Sequence, residues 1–124
     1  MYFHGSDFRR VTPDDPAQPG ETIILYALGL GEVTPAIAAG APAPNSAPVT
    51  THMLPLQLYG NSTDGSGSYV YINLTILWEG YAPGMVGVYQ INAQLPANLK
   101  PGRFTLEFSY CDGSCPGPAL DVRY

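Results

Sequence analysis

The stretch Tyr69–Trp78 reads Y-V-Y-I-N-L-T-I-L-W. Val70, Ile72, Leu74, Ile76 and Trp78 fall at every second position, with Tyr69, Tyr71, Asn73 and Thr75 between them. A period of two is the period of a strand, and one wet face is the mark of an antiparallel sheet. The segment predicts one strand, with Trp78 inward and Tyr69 and Tyr71 outward.

The alternation recurs on both sides of it. In Met53–Tyr59, Leu54, Leu56 and Leu58 share a face. In Gly87–Leu95, Tyr89, Ile91, Ala93 and Leu95 point one way, and Val88, Gln90, Asn92 and Gln94 the other. Phe104, Leu106, Phe108 and Tyr110 go inward from Arg103–Tyr110, as do Leu120, Val122 and Tyr124 from Pro118–Tyr124. Glu21–Leu28 is apolar on both faces, which predicts a central strand covered on both sides. Met1–Phe8 reads as one short irregular strand. No window of helical length carries an i, i+3, i+4 apolar pattern free of Gly and Pro.

Turn signals separate these runs. Pro83-Gly84 and Pro101-Gly102 fit the central positions of type II turns, Asn61–Ser68 reads as a hairpin loop, and Asp112-Gly113 as a hairpin tip. Glu32–Thr51 holds Pro35, Pro42, Pro44 and Pro48 and reads as a long proline-rich loop. Six or seven short strands so spaced predict an all-β fold, an antiparallel β-sandwich, with a barrel as the alternative.

The 124 residues suffice for one domain with its own core. Gly and Pro number 14 and 13, but 45% of residues are hydrophobic and occur in ordered runs, which argues against disorder. Five basic against 10 acidic residues leave a net charge of −5, so no phosphate-tracking stripe exists and nucleic acid is not an expected partner. No apolar stretch approaches the length of a membrane span, and Met1 opens no signal-peptide pattern. The expectation is a single domain, residues 1–124, taken from a longer chain.

Cys111 and Cys115 bracket Asp112-Gly113-Ser114 and so face each other at the neck of the last hairpin. A small disulfide is the expected use, and it implies an oxidising compartment. A zinc site needs two ligands beyond the cysteines, for which only the distant His4 and His52 are available, with no second cysteine pair, and the spacing is not that of a redox C-x-x-C pair.

Candidates for catalysis are few. His4-Gly5-Ser6-Asp7 contains the residue types of a triad, but such groups are rarely neighbours in sequence, and no nucleophile elbow is present. Glu79 and Glu107 are the pair to consider for glycosidase chemistry, and both read as solvated surface charge. Asp64-Gly65-Ser66-Gly67 lacks the spacing of a calcium loop, and Asp14-Asp15 reads as a loop terminus, with a surface calcium site as the alternative. No cofactor, metal or catalytic residue is expected. The outward Tyr69 and Tyr71, and Tyr81 at a turn, are the candidate ligand or interface surface, because aromatic pairs stack on sugars or serve protein contacts.

Two blocks also resemble a known family. Pro19-Gly20-Glu21-Thr22, Leu25-Tyr26-Ala27-Leu28-Gly29-Leu30-Gly31 and Val33-Thr34-Pro35 form the first. Ala82-Pro83-Gly84-Met85-Val86-Gly87-Val88-Tyr89-Gln90-Ile91-Asn92, followed by Leu95-Pro96 and Pro101-Gly102, forms the second. Together with the Gly40–Pro44 loop they are similar to the C-terminal domains expanded in Solibacter and other Acidobacteria, over most of Val11–Tyr124. Leu28 stands where that family commonly has Thr, and the Gly60–Val70 insert and the cysteine hairpin depart from it. The resemblance implies an immunoglobulin-like sandwich at the end of a large secreted protein, and it carries no catalytic residues.

The sequence thus points to an extracellular or cell-surface module that is not an enzyme, serving as spacer, adhesion or assembly domain. Its expected partners are neighbouring domains, other surface proteins or copies of itself. Carbohydrate binding through the tyrosines is the alternative.

Overall fold

The computed structural model describes residues 1–28, 33–44, 49–50, 56–62, 69–108 and 116–122, with side chains within 1–28, 33–44 and 72–104. The described residues hold ten strands and no helix. They are β1 (Tyr2–His4), β2 (Thr22–Ala27), β3 (Val33–Thr34), β4 (Val49–Thr50) and β5 (Leu56–Ser62). The rest are β6 (Tyr69–Asn73), β7 (Thr75–Tyr81), β8 (Tyr89–Gln94), β9 (Gly102–Phe108) and β10 (Pro116–Val122). All pairings are antiparallel, in a six-stranded sheet ordered β1-β2-β8-β7-β4-β3 and a four-stranded sheet ordered β10-β9-β5-β6.

This exceeds the expected seven for two reasons. Glu32–Thr51 is not loop throughout, since Val33-Thr34 and Val49-Thr50 pair with each other at the edge of the larger sheet. Nor is Tyr69–Trp78 a single strand. It breaks at Leu74, with β6 in the smaller sheet and β7 in the larger. Leu74 is buried, so the chain changes sheets without interrupting the apolar alternation up to that point.

One core joins the sheets. Ile23, Leu25, Leu74, Tyr89, Ile91, Ala93 and Leu95 meet Phe104 of β9, and Ile72 of β6 packs against them. The inward set expected for β8 is the set observed: Tyr89, Ile91 and Ala93 are buried. In β2, Ile23, Ile24 and Leu25 are buried in succession; Ile23 and Leu25 belong to the core, and Ile24 lies on the opposite face.

The second half of β7 departs from its sequence pattern. Ile76 lies opposite Ala93, but Trp78 lies opposite Asn92, so Leu77 is the extra residue of a bulge. Beyond it the alternation is inverted. Trp78 shares the outward face with Asn92, and Glu79 faces the core opposite Ile91, only 1% exposed. The expectation of an inward Trp78 and a solvated Glu79 is corrected by this single residue.

The turn expected at Pro83-Gly84 is present: Gly84 has φ of 74°, and the Met85 N–H donates to the Ala82 carbonyl at 3.1 Å. Gly102 instead begins β9. Gly29, Gly31 and the Asp112-Gly113 tip lie outside the described residues.

Candidate functional site

Among the described residues, two clusters of polar or aromatic side chains are candidates. The first is the corner where β1 turns back on itself. Gly5 sits so close to β2 that its N–H donates to the Thr22 carbonyl at 2.8 Å. The chain then doubles back: the Phe8 N–H donates to the His4 carbonyl at 3.0 Å, the His4 N–H donates to the Arg9 carbonyl at 2.8 Å, and Arg10 bridges to Phe3.

This path buries His4 between two acids. Its Nδ1 is hydrogen-bonded to Glu21 Oε1. Its Nε2 lies 3.3 Å from the Asp15 carbonyl oxygen and 3.5 Å from Asp15 Oδ2. The other Glu21 oxygen accepts the Gln18 N–H at 2.9 Å. Arg9 closes the outer side, with Nε 2.5 Å from Asp7 Oδ2 and Nη1 2.7 Å from Asp15 Oδ2. The side-chain hydrogen bond from Arg9 and then the one from its backbone N–H hold the Asp7 carboxyl below its ordinary range.

A cavity of about 340 Å³ opens here, lined in part by His4, Ser6, Arg9, Asp15, Gln18 and Glu21. The neighbours His4, Ser6 and Asp7 do not act as a unit: His4 takes Glu21 and Asp15, and Asp7 takes Arg9. The two carboxylates flank opposite ring nitrogens and do not converge on one point. Accordingly, no group of three or more potential ligands among the described residues is placed to hold a metal. Both ring nitrogens face acceptors, so the imidazole works as a strut tying β1 to the 9–21 loop and to the residue that enters β2.

The second place is the outward face of the six-stranded sheet. Directly opposed residues of antiparallel strands share a face. Phe3, Ile24, Asn92 and Trp78 are opposed in turn across β1, β2, β8 and β7, and the bridge adds Arg10 beyond Phe3. Tyr26 and Gln90 form the next row. The rings of Phe3 and Tyr26 meet edge to face with centroids 5.7 Å apart. Beside them Ile24 is 3% exposed, although it points away from the core. Gln90 Nε2 donates to Asn92 Oδ1 at 2.9 Å, so two amides lie side by side between aromatic flanks.

Of the residues singled out in the sequence, Tyr69 and Tyr71 lie in β6, opposite Asn61 and Tyr59, with their side chains outside the described residues. Cys111 and Cys115, and the side chain of Glu107, also lie outside them. Tyr81 is half-buried against the core, its ring 4.6 Å from that of Tyr89. Burial first, then a hydrogen bond with Tyr81, push the Tyr89 phenol up to about 12. Sequence reasoning missed Asp15 and Glu21 as partners of His4, and it missed the outward row. A single-residue bulge leaves no signature in an apolar run, and the acids lie 11 and 17 residues from the histidine they hold.

Comparison with family models, with curated proteins and with solved structures returns no match for this chain.

Proposed function

We propose that the chain is a non-catalytic, immunoglobulin-like β-sandwich module of a secreted or cell-surface protein, serving as a spacer, adhesion or assembly domain. The family likeness to the Solibacter and Acidobacteria C-terminal domains belongs to the same proposal. Its two sequence blocks are neighbours in space, since Leu25, Tyr26 and Ala27 of the first pair with Ile91, Gln90 and Tyr89 of the second.

The observation that carries the reading lies at the end of that pairing. Leu28 follows β2 and is 75% exposed, while Met85 and Val86, 43% and 52% exposed, sit in the turn leading into β8. Apolar side chains collected at one end of a sheet are a contact surface awaiting a neighbour, whether an adjoining domain or a second copy. The Ala43 backbone braces that turn, accepting from the Gly84 N–H at 2.8 Å and donating to the Met85 carbonyl at 2.9 Å. Sedimentation velocity over a concentration series tests assembly. Self-association that disappears in the Leu28→Ser, Val86→Ser double variant supports it. A chain that stays monomeric at every loading removes self-assembly and leaves the spacer and adhesion roles.

The rival reading is carbohydrate binding through Tyr69, Tyr71 and Tyr81. Tyr81 is half-buried with its ring 4.6 Å from that of Tyr89.

A further inference from the structure

We propose that the outward face of the six-stranded sheet binds an acidic polysaccharide along Arg10, Phe3, Asn92 and Trp78, which flank the buried Ile24. This site is separate from the apolar end formed by Leu28, Met85 and Val86, and it stands whether or not copies of the chain associate.

The chemistry of the row selects the ligand. Phe3, Tyr26 and Trp78 are half-buried on this face, and the exposed part of each ring can meet the C–H surfaces of sugars, the contact by which aromatic side chains hold an otherwise hydrophilic molecule. Between them lie the amides. Gln90 has given one N–H to Asn92, which leaves the Gln90 carbonyl and the Asn92 amino group without partners among the described residues. An acceptor and a donor side by side match vicinal sugar hydroxyls. The opposed positions run across five strand segments, roughly 19 Å at about 4.8 Å per spacing, the reach of an oligosaccharide rather than a single sugar.

Arg10 sets the charge of the ligand. Arg9, next to it, is committed to Asp7 and Asp15. Arg10 is exposed at the end of the row and makes no ion pair among the described residues. A guanidinium on the edge of an aromatic strip takes a carboxylate through paired hydrogen bonds. The net charge of −5 gives no general attraction for a polyanion. Recognition therefore rests on the stacking rings, with Arg10 choosing the uronate.

The test is affinity electrophoresis of the purified chain through gels containing polygalacturonate or a neutral β-glucan. It is combined with titration of the fluorescence of Trp78, the sole tryptophan, with oligogalacturonate. The expected result is retardation by polygalacturonate beyond that by the neutral glucan, with a fluorescence change on titration. Trp78→Ala and Asn92→Ala, each shown to be folded by circular dichroism, should weaken retardation by about tenfold. Arg10→Gln should erase the preference for the acidic polymer, and Tyr69→Ala with Tyr71→Ala should change nothing. Absence of retardation and of any fluorescence change in the wild type overturns the proposal. So does equal retardation by both polymers, or binding lost only in the Tyr69/Tyr71 variant.

Discussion

Trp78 stands opposite Asn92 on the outward face of the larger sheet, one residue out of phase with the alternation that runs from Tyr69 to Ile76. The bulge at Leu77 makes the difference, and it gives the sole tryptophan a half-buried place outside the core. Truncating it removes a surface contact. Phe104, 1% exposed and packed between the sheets, is a core group. Phe104→Ala is expected to cost about 3–5 kcal/mol, as large-to-small core changes do, and Trp78→Ala about 1 kcal/mol. Urea unfolding of both variants checks the difference. Acrylamide should quench the wild-type fluorescence readily, whereas a core tryptophan would be shielded.

His4 is held at both ring nitrogens, and its loss would leave the Glu21 carboxylate with the Gln18 N–H as its described partner. A hydrogen bond to a charged group contributes more than a neutral one, so His4→Ala should destabilise the chain by about 2 kcal/mol. Chemical denaturation measures this. A loss under about 0.5 kcal/mol would show that water replaces the imidazole, as it does at surface ion pairs.

Gly5 fits where no other residue does. A Cβ built on it would lie 2.6 Å from the Thr22 carbonyl oxygen, a backbone atom that pairing with β8 keeps in place. Gly5→Ala must push β1 away from β2, at a cost of about 1–3 kcal/mol. Thermal unfolding of that variant beside Ser6→Ala, whose parent residue is exposed, isolates the effect of the close approach.

The Tyr89 phenol, raised to about 12 from an ordinary value of 10.0, makes the fold sensitive to alkali. The neutral form is the one the folded state favours. Its contribution is therefore complete below pH 10 and is lost as the pH climbs from 10 towards 12. Ultraviolet titration should show a late step contributed by Tyr89, and Tyr89→Phe should remove that contribution together with its share of the alkaline loss of stability.

How much of this the sequence shows depends on how local the cause is. The inward set of β8 is legible because period two persists from Tyr89 to Leu95 without interruption. The turn at Pro83-Gly84 is legible because proline fixes φ at the first central position and glycine admits the positive φ needed at the second. The change of sheet at Leu74 is not, since both sheets accept an apolar residue at that position and the alternation continues through it. Val33-Thr34 and Val49-Thr50 escape notice for another reason: two-residue strands carry no period, and they exist because β7 offers them an edge. The His4 corner is hidden because its acids, Asp15 and Glu21, lie within and just beyond the segment 9–20, with no local pattern that ties them to the histidine.

The order of strands also fixes how this molecule meets others of its kind. A sheet edge templates further strands in proportion to the unpaired backbone it presents. The six-stranded sheet ends in three residues on one side and two on the other, too short a rail for an incoming chain. One edge of the four-stranded sheet, β10, opens with Pro116 and Pro118, which have no N–H to offer. The opposite edge, β6, is five residues of tyrosine, valine, isoleucine and asparagine without proline or charge. Growth of one sheet into another, in crowded or partly unfolded chains, has a single open end among the described strands, and a lysine at Tyr71 would shut it.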